Sequence, residues 1–340
     1  MPFLQQLVQR AQQQPARITL CEAHDPRVLT AAIRAQQEGI AHILLVGNTA
    51  QIEHTAITHQ LDLSKLHIED PKHSKHTPEL IQRLAQWRAQ KGMTKEKAAQ
   101  AILDPLCFAN MLVHCGHADG SVAGAIYNTA DVVRSALQLI GKKPTTPIVS
   151  SFFLMLLNQP HHPCQQAVIF SDCGLVIDPD CEELAAIAIA AAHSARSLLN
   201  VEPRIAMLSF STAGSASHPT VTKVVEAAKR VKQQLPHIAI DEDIQFDAAI
   251  IPTIAAKKLK QSQVNGQANV FIFPNLEAGN IGYKIAERLG GVTAIGPLLQ
   301  GLNKPANDLS RGCDSEAIFY VIAATSLQAQ HQEHHEPAYT

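Results

Sequence analysis

The sequence lacks the features that mark secreted and membrane-spanning proteins. Its seven cysteines are scattered, odd in number and without a Cys-x-x-Cys pair, which argues against a disulfide framework and predicts reduced thiols. No apolar run reaches the roughly eighteen residues that a membrane-spanning helix needs. The N-terminal residues also lack the charged start and long apolar core of a signal peptide. We therefore expect a cytoplasmic protein with no membrane partner.

An excess of one charge is also missing. The 28 Lys and Arg residues are nearly balanced by 30 Asp and Glu residues, which gives no electrostatic basis for binding nucleic acid. Histidine and cysteine crowd only at residues 114–117 and 161–164, and their spacing there fits no zinc pattern. The sequence therefore predicts neither a nucleic-acid partner nor a metal site.

What the sequence does contain is a regular alternation of short apolar runs with amphipathic stretches. The runs are typical of buried strands and the stretches of helices, and this alternation predicts the α/β class with largely parallel sheets. The predicted strands are 17–21, 43–46, 122–126, 148–153, 167–170, 204–210, 248–251, 270–273 and 292–295. The predicted helices are 26–37, 78–91, 131–140, 182–199, 219–234 and 280–289.

The length of 340 residues is long for one core and predicts two domains of roughly 150 residues each. Polar, proline-containing stretches at 141–144 and 159–163 interrupt the alternation and indicate a domain boundary. A second boundary near 296–302 would return the chain to the first domain, although periodicity alone does not distinguish a return from a continuation. Residues 328–340 contain hardly any apolar side chains and are predicted to form a frayed tail.

The run Asn307-Asp308-Leu309-Ser310-Arg311-Gly312 concentrates an acid, a hydroxyl and a guanidinium beside a glycine. Arg311 offers a planar fork that matches phosphate oxygens, and Ser310 can donate to a developing oxyanion. The glycine lets the backbone approach a ligand closely. This composition indicates a turn that holds an anion. The alternative interpretation is a solvated turn that leads into the last helix.

Three further stretches carry basic or hydroxyl groups at the ends of predicted elements. Asn128 and Thr129 precede a predicted helix that carries Arg134, and a helix N-terminus attracts anions through its dipole and free backbone donors. The alternative there is an ordinary N-cap with a surface arginine. Residues 209–216 form a hydroxyl- and glycine-rich loop suited to a ligand, but they match neither the dinucleotide nor the Walker pattern. Arg88 lies late in another predicted helix.

Six separated segments resemble one known family. Residues 20–27, 124–134, 207–212, 269–274, 277–284 and 296–313 resemble, in this order, the phosphate acetyltransferases. The resemblance covers nearly the whole chain. It implies reversible transfer of an acetyl group between coenzyme A and inorganic phosphate without an acyl-enzyme. It also implies a homodimer of two three-layer α/β domains with an interdomain cleft, formed by residues 1–146 with 300–340 and by residues 147–299.

The resemblance further implies roles for individual residues. Coenzyme A would be a substrate, and no cofactor would be tightly bound. Ser310 and Arg311 would be catalytic, with Ser310 as the donor to the tetrahedral intermediate. The residues implied for phosphate or acyl phosphate are Thr129, Arg134, Arg311, Asn307, Gln300 and Tyr283, and those implied for coenzyme A are Arg88, Ser310 and Asn280.

The sequence departs from the family at the general base. The family's proposed base is an aspartate seven residues after the motif serine, and here that position is Ala317. Asp314 lies one turn earlier on the same helical face, and Glu316 is adjacent but rotated about 100° around the axis. Glu316 is the candidate surrogate base. The alternative is that Asp314 caps the last helix and Glu316 stabilises its first turn.

Two smaller departures bear on coenzyme A binding and substrate choice. Ala213 stands where the family usually has lysine, and Glu242 lies in a segment where the commoner family pattern is Ile-Asp-Gly-Glu.

Two alternative functions stay open. One is transfer of a propionyl or butyryl group. The other is binding of acetyl-CoA or acetyl phosphate without turnover, as in the phosphotransacetylase-like domain of some malic enzymes. A decarboxylating dehydrogenase is disfavoured, because neither paired metal-binding aspartates nor a nicotinamide loop can be recognised.

Overall fold

The computed structural model describes residues 2–164 and 166–333. The chain divides into two compact units. The split unit combines residues 2–142 with the residues from Leu302 onward, and the central unit consists of Lys143–Gly301. Among the described residues, no helix is both long and apolar enough to cross a bilayer.

A five-stranded, fully parallel sheet forms the centre of the split unit. In chain order its strands are β1 (Ala16–Leu20), β2 (Ala41–Val46), β3 (His67–Glu69), β4 (Gly120–Ala123) and β11 (Ala306–Asp308), and in space they follow the order β11-β4-β1-β2-β3. Because parallel strands end at the same edge, the residues after β1, β4 and β11 lie close together.

Helices cover this sheet and begin at recognisable caps. The side chain of Asp25 accepts the N–H of Arg27, and Pro26 occupies the first helical position, where its missing N–H costs nothing. The helices of the split unit are α1 (Pro2–Gln13), α2 (Pro26–Gln37), α3 (Thr49–Thr58), α4 (Thr77–Trp87), α5 (Lys95–Ala101), α6 (Pro105–His114), α7 (Thr129–Leu139) and α13 (Ser315–Glu333), with a 3-10 turn at Ala89–Lys91.

The central unit is built on a six-stranded sheet in the order β10-β5-β6-β9-β7-β8. Its strands are β5 (Ser150–Leu156), β6 (Ala167–Ser171), β7 (Arg204–Leu208), β8 (Ala239–Ile244), β9 (Val270–Ile272) and β10 (Thr293–Gln300). The pairs β10/β5 and β5/β6 are antiparallel, and the remaining pairs are parallel. Its helices are α8 (Cys181–Ser194), a π-helical turn (Ala195–Leu199), α9 (Pro219–Gln234), α10 (Phe246–Ile250), α11 (Pro252–Lys258) and α12 (Leu276–Arg288).

The predicted α/β class with largely parallel sheets is confirmed, but the strand predicted at 248–251 is wrong. That segment lies in α10, and the strand of this region is β8. The polar residues Asp241, Glu242 and Asp243 concealed β8 in the sequence. Two of them are nevertheless buried, because Asp241 accepts a hydrogen bond from the Ser262 hydroxyl and Asp243 accepts one from the Ser211 hydroxyl.

The predicted frayed tail also begins too early. Helix α13 continues through Gln328 to Glu333, and its inner face is tied to the fold at Leu327, which is 1% exposed. Hydrogen bonds from the Gln330 side chain to the carbonyls of Ala11 and Gln14 extend this attachment. Residues 334–340 of the predicted tail lie outside the described residues.

Candidate active site

Glu22, which follows β1, holds the loop between β4 and α7. Its side chain is buried, and its two oxygens accept hydrogen bonds of 2.7–2.9 Å from four successive backbone N–H groups, those of residues 124–127. A carboxylate has enough lone pairs for all four donors. The backbone donors just before α7 are therefore occupied by the protein's own acid. An external anion bound near this loop needs donors other than these four N–H groups.

The start of α7 presents such groups. Asn128 caps the helix by accepting the N–H of Asp131, and Thr129 is the exposed first residue. Arg134 points outward and pairs with Asp131 at 2.6 Å, with 60% of its side chain exposed. The N-cap interpretation is therefore correct for Asn128. Because the ion pair of Arg134 is exposed, it is weak enough to be exchanged for a ligand.

Asp308 ends β11 directly opposite Ala123 of β4 and is fully buried. Neither carboxylate oxygen makes a hydrogen bond of good geometry with a described residue. Burial raises the pKa of Asp308 to about 7, the charge of Glu22 adds to the rise, and the nearby Thr129 hydroxyl opposes it. Gly124 makes room for this acid, because a Cβ there would overlap Asp308 Oδ1.

The Ser310 turn, residues 309–313, follows Asp308 and is closed by a hydrogen bond from the Cys313 N–H to the Ser310 carbonyl. Ser310 and Arg311 are both exposed. The Arg311 guanidinium makes no hydrogen bond or ion pair within the described part of the chain, and the Ser310 hydroxyl accepts only a long bond of 3.4 Å from the Gly312 N–H. Both groups are therefore uncommitted and available to a ligand.

Arg27 attaches the Ser310 turn to the loop held by Glu22. Its Nη1 donates to the carbonyls of Arg311 at 2.9 Å and Cys313 at 2.8 Å, and its Nη2 donates to the Ala125 carbonyl at 3.1 Å. A hydrogen-bonded ion pair with Asp25 raises the pKa of Arg27 and orients it. Local sequence did not reveal this role, since Asp-Pro-Arg is typical of a helix start. The segments that follow β1, β4 and β11 are thus joined by hydrogen bonds into one site.

The two acids near Ala317, the position where the family has its proposed base, differ in their hydrogen bonding. Asp314 caps α13 by accepting the N–H of Ala317 at 2.8 Å, so the capping interpretation holds for this residue. Glu316 is exposed, and the only hydrogen bond of its side chain among the described groups is a long one of 3.5 Å from the Tyr320 hydroxyl. Glu316 is thus the uncommitted acid next to Ala317.

Arg88 lies elsewhere in the split unit. It ends α4, and the indole of its neighbour Trp87 donates to the carbonyl of Gln138, near the C-terminal end of α7. Thr129 is at the opposite end of that helix, about 14 Å away at 1.5 Å per residue. Within this unit Arg88 is therefore not brought to the Ser310 turn.

Four other predicted residues are engaged inside their own units. Asn307 donates to the Thr325 hydroxyl and to Gln328 Oε1. Gln300 is buried and donates to the Ser150 hydroxyl while accepting from Ser194. In the central unit, Asn280 donates to the Cys173 carbonyl, and Tyr283 stacks on Phe153 with ring centroids 4.2 Å apart. Gln300 and Asn307 thus hold elements of their units together, and a role of either in phosphate binding stays a prediction.

The loop at 209–216 is closed in the same way as the loop before α7. Asp243 Oδ2 accepts hydrogen bonds from the Ser211 hydroxyl at 2.8 Å and from the Gly214 N–H at 3.0 Å. The Ala213 N–H donates to the Asp243 carbonyl. The Ser211 hydroxyl and the Gly214 N–H are therefore engaged by an internal acid.

Comparison with known proteins gives a consistent result. A family model described as Phosphate acetyl/butaryl transferase matches residues 2–326. The chain is 48% identical over 313 residues to a phosphate acetyltransferase of Paracoccus denitrificans, covering 92% of this chain and 95% of that protein. It is 44% identical over 331 residues to one of Acetivibrio thermocellus, covering 97% and 99%. Among solved structures, EutD phosphotransacetylase from Staphylococcus aureus matches with a TM-score of 0.89 and 42% identity over 96% of this chain and 98% of that chain.

We predict that Glu22→Gln lowers the free energy of unfolding by about 2–4 kcal/mol, because the amide offers one acceptor oxygen and turns an N–H₂ group toward backbone donors. Urea unfolding at neutral pH measures this. Glu38→Gln is the matched control, since the Glu38 side chain makes an exposed ion pair with Arg34 and no other hydrogen bond among the described residues, and its loss should cost less than about 0.5 kcal/mol. Equal losses in the two variants would contradict the role of Glu22.

We also predict that Asp308 makes stability fall as pH rises. Below about pH 4 the acid is protonated in both states; between there and about pH 7 only the unfolded chain releases the proton, so the folded state loses stability over that window. The full effect is on the order of 4 kcal/mol. Asp308→Asn, which mimics the protonated acid, should stabilise the protein near pH 8 and change little near pH 4.5. A stability difference that does not vary with pH contradicts this assignment.

Proposed function

This chain belongs to the Phosphate acetyl/butaryl transferase family, and from that premise we propose that it transfers an acetyl group reversibly between coenzyme A and inorganic phosphate. In the forward direction acetyl-CoA and phosphate give acetyl phosphate and free coenzyme A. The observation that carries the proposal is the pair of uncommitted side chains on the Ser310 turn, which Arg27 holds beside the start of α7.

The proposed chemistry is direct attack. A phosphate oxygen adds to the thioester carbonyl carbon, the carbonyl oxygen takes up negative charge, and the C–S bond then breaks to release the thiolate of coenzyme A. Arg311 neutralises the phosphate, with Thr129 and Arg134 adding a hydroxyl and a second guanidinium. Ser310 donates a hydrogen bond to the tetrahedral oxyanion. No covalent acyl-enzyme is needed.

The reverse direction requires a base, because a thiol with a pKa near 8.5 is only about 3% ionised at neutral pH. Ala317 cannot serve, and Asp314 is occupied as a cap. Glu316 is exposed one position before Ala317, so we propose it as the base. Asp308 is buried beside Thr129 and acts as a positioning group.

The remaining parts of the proposal concern substrate binding and assembly. Arg88, Asn280 and Tyr283 are proposed to contact coenzyme A or acyl phosphate, with no tightly bound cofactor. We propose a cytoplasmic homodimer; the seven free cysteines support a reducing compartment. An exposed apolar stripe on α12, made of Ile281, Ile285 and Leu289 at helical spacing, supports self-association, since a stripe of this kind is costly to leave in water.

Phosphate-dependent release of thiol from acetyl-CoA tests the activity. We expect Ser310→Ala and Arg311→Ala each to lower kcat by about 10²-fold or more, because each removes a group that meets developing charge. Arg230→Ala, which truncates an exposed arginine on α9, is the control and should leave kcat unchanged. Full activity in both turn variants would remove the Ser310 turn from the mechanism.

The base is tested by the pH dependence of coenzyme A acylation from acetyl phosphate. We expect Glu316→Gln to lower the rate by about 10²- to 10⁴-fold and to abolish one limb of the pH profile. Asp314→Asn keeps an acceptor oxygen for the Ala317 N–H, so it should change the stability of α13 by less than about 0.5 kcal/mol and leave the shape of the profile intact. An unchanged profile in Glu316→Gln excludes Glu316 as the base.

Ala317 gives one specific reason to weigh a non-catalytic role. Absence of turnover in the wild-type chain, together with saturable binding of coenzyme A, would favour that alternative. Rates with acetyl-, propionyl- and butyryl-CoA measured in the same assay decide the acyl group. The acetyl-CoA rate is expected to be highest, as the names of the relatives suggest.

The dimer is tested by light scattering after size exclusion. We expect twice the chain mass of 36.8 kDa for the wild type and a shift toward the monomer in Ile285→Glu, which places a charge in the stripe. Thr222→Glu, an exposed change on α9, is the control and should remain dimeric. A wild-type monomer would contradict this part of the proposal.

A further inference from the structure

A cluster of two imidazoles and one carboxylate lies in the split unit, on residues that the proposed acyl transfer does not use. Ligand atoms of His76, Glu79 and His117 all lie within 4.8 Å of one another. His117 Nε2 is 2.9 Å from Glu79 Oε2, and the rings of His76 and His117 have centroids 4.1 Å apart. We propose that these three side chains bind a divalent transition-metal ion, with Zn²⁺ as the preferred ion.

Each ligand is positioned by local backbone structure. His76 immediately precedes α4, and Glu79 follows three residues later, so both lie on one side of the first helical turn. His117 is held by the C-terminal motif of α6, in which the N–H of Gly116 bonds to the Val113 carbonyl and that of His117 to the Leu112 carbonyl. Gly116 has the positive φ of 83° that this motif favours. The site therefore joins the start of α4 to the end of α6.

The donor set and the charges suit such an ion. Two imidazole nitrogens and one carboxylate oxygen form a common three-ligand zinc set, which leaves a further position for water. Tetrahedral ligands at zinc distances lie about 3.3 Å apart, so small side-chain rotations close the site. Glu69 adds a second negative charge, with its Oε1 4.0 Å from His76 Nε2, whereas Lys75 is the opposing positive charge next to His76.

The sequence spacing concealed this site. The crowding at 114–117 drew attention to neighbours in the chain, but His114 uses its Nδ1 on the Leu139 carbonyl. The partners of His117 come instead from about forty residues earlier. Only the packing of α4 against α6 brings them together. The prediction of no metal site was based on the spacing of histidine and cysteine residues close together in the chain, whereas the ligands of this cluster come from two distant segments.

Zinc binding to chelator-treated full-length protein tests the proposal, measured by competition with a chromophoric chelator. We expect one tightly bound ion per chain, and binding at least about tenfold to a hundredfold weaker in Glu79→Gln and His117→Ala, as for other losses around metal sites. His117→Gln is a second variant, because the amide can still donate to Glu79 yet is a poor zinc ligand. It should lose binding while the protein keeps its unfolding temperature without metal.

The matched control is the double variant His334→Ala with His335→Ala, which removes two histidines that are adjacent in the sequence near its C-terminus. It should bind zinc like the wild type. Zinc should also raise the unfolding temperature of the wild type and of this control, but not that of His117→Gln, since an ion bound only to the folded state stabilises it. Unchanged affinity in both His117 variants, or loss of binding in the C-terminal control alone, would overturn the proposal.

Discussion

The candidate site depends on one interaction, the grip of the buried Glu22 carboxylate on four consecutive backbone N–H groups. Without it, the loop between β4 and α7 would bury unpaired donors, each of which costs free energy comparable to a lost hydrogen bond. With it, these four donors are paired, and the loop is held just before Thr129 at the start of α7. Arg27 then holds the Ser310 turn beside this loop by donating to two of the turn's carbonyls.

The same device recurs in the central unit. Asp172 accepts the N–H groups of Ser151 and Gly174, and Asp243 accepts that of Gly214. In each case an acid near the carboxyl end of a strand accepts hydrogen bonds from nearby backbone N–H groups, which are then not available to an external phosphate. Internal anions of this kind make the loops rigid. They also leave fewer places where a substrate anion can bind, which is why the uncommitted guanidinium of Arg311 is informative.

Because position 317 carries no acid, the proposed catalysis has two independent parts, electrostatic stabilisation by one set of residues and proton transfer by another. In the proposed mechanism, Arg311, Ser310 and Thr129 supply charge and hydrogen bonds that need no proton transfer, so a large part of the rate enhancement would not depend on a base. The proposed metal cluster lies apart from these groups in sequence and uses none of them. Its effect would be on the attachment of α4 to α6, a matter of stability and not of chemistry.

Local sequence determined much of the fold. Apolar runs predicted most of the strands, and an amphipathic pattern predicted α2 over residues 26–37, because both patterns act over short stretches of the chain. The strand β8 was missed for the opposite reason. Its acids are stabilised by Ser211 and Ser262, partners twenty or more residues away that no local pattern reveals.

The candidate site shows the same division. Sequence alone marked Ser310, Arg311 and Thr129 as suited to an anion, since the residue type determines whether a side chain offers a hydroxyl or a guanidinium. Tertiary structure decided which donors were already taken, which acid was buried without a partner, and that Arg88 lies at the far end of α7 from Thr129. It also brought His117 to His76 and Glu79. Burial and long-range hydrogen bonding arise only when distant segments pack, so they could not be read from the order of the residues.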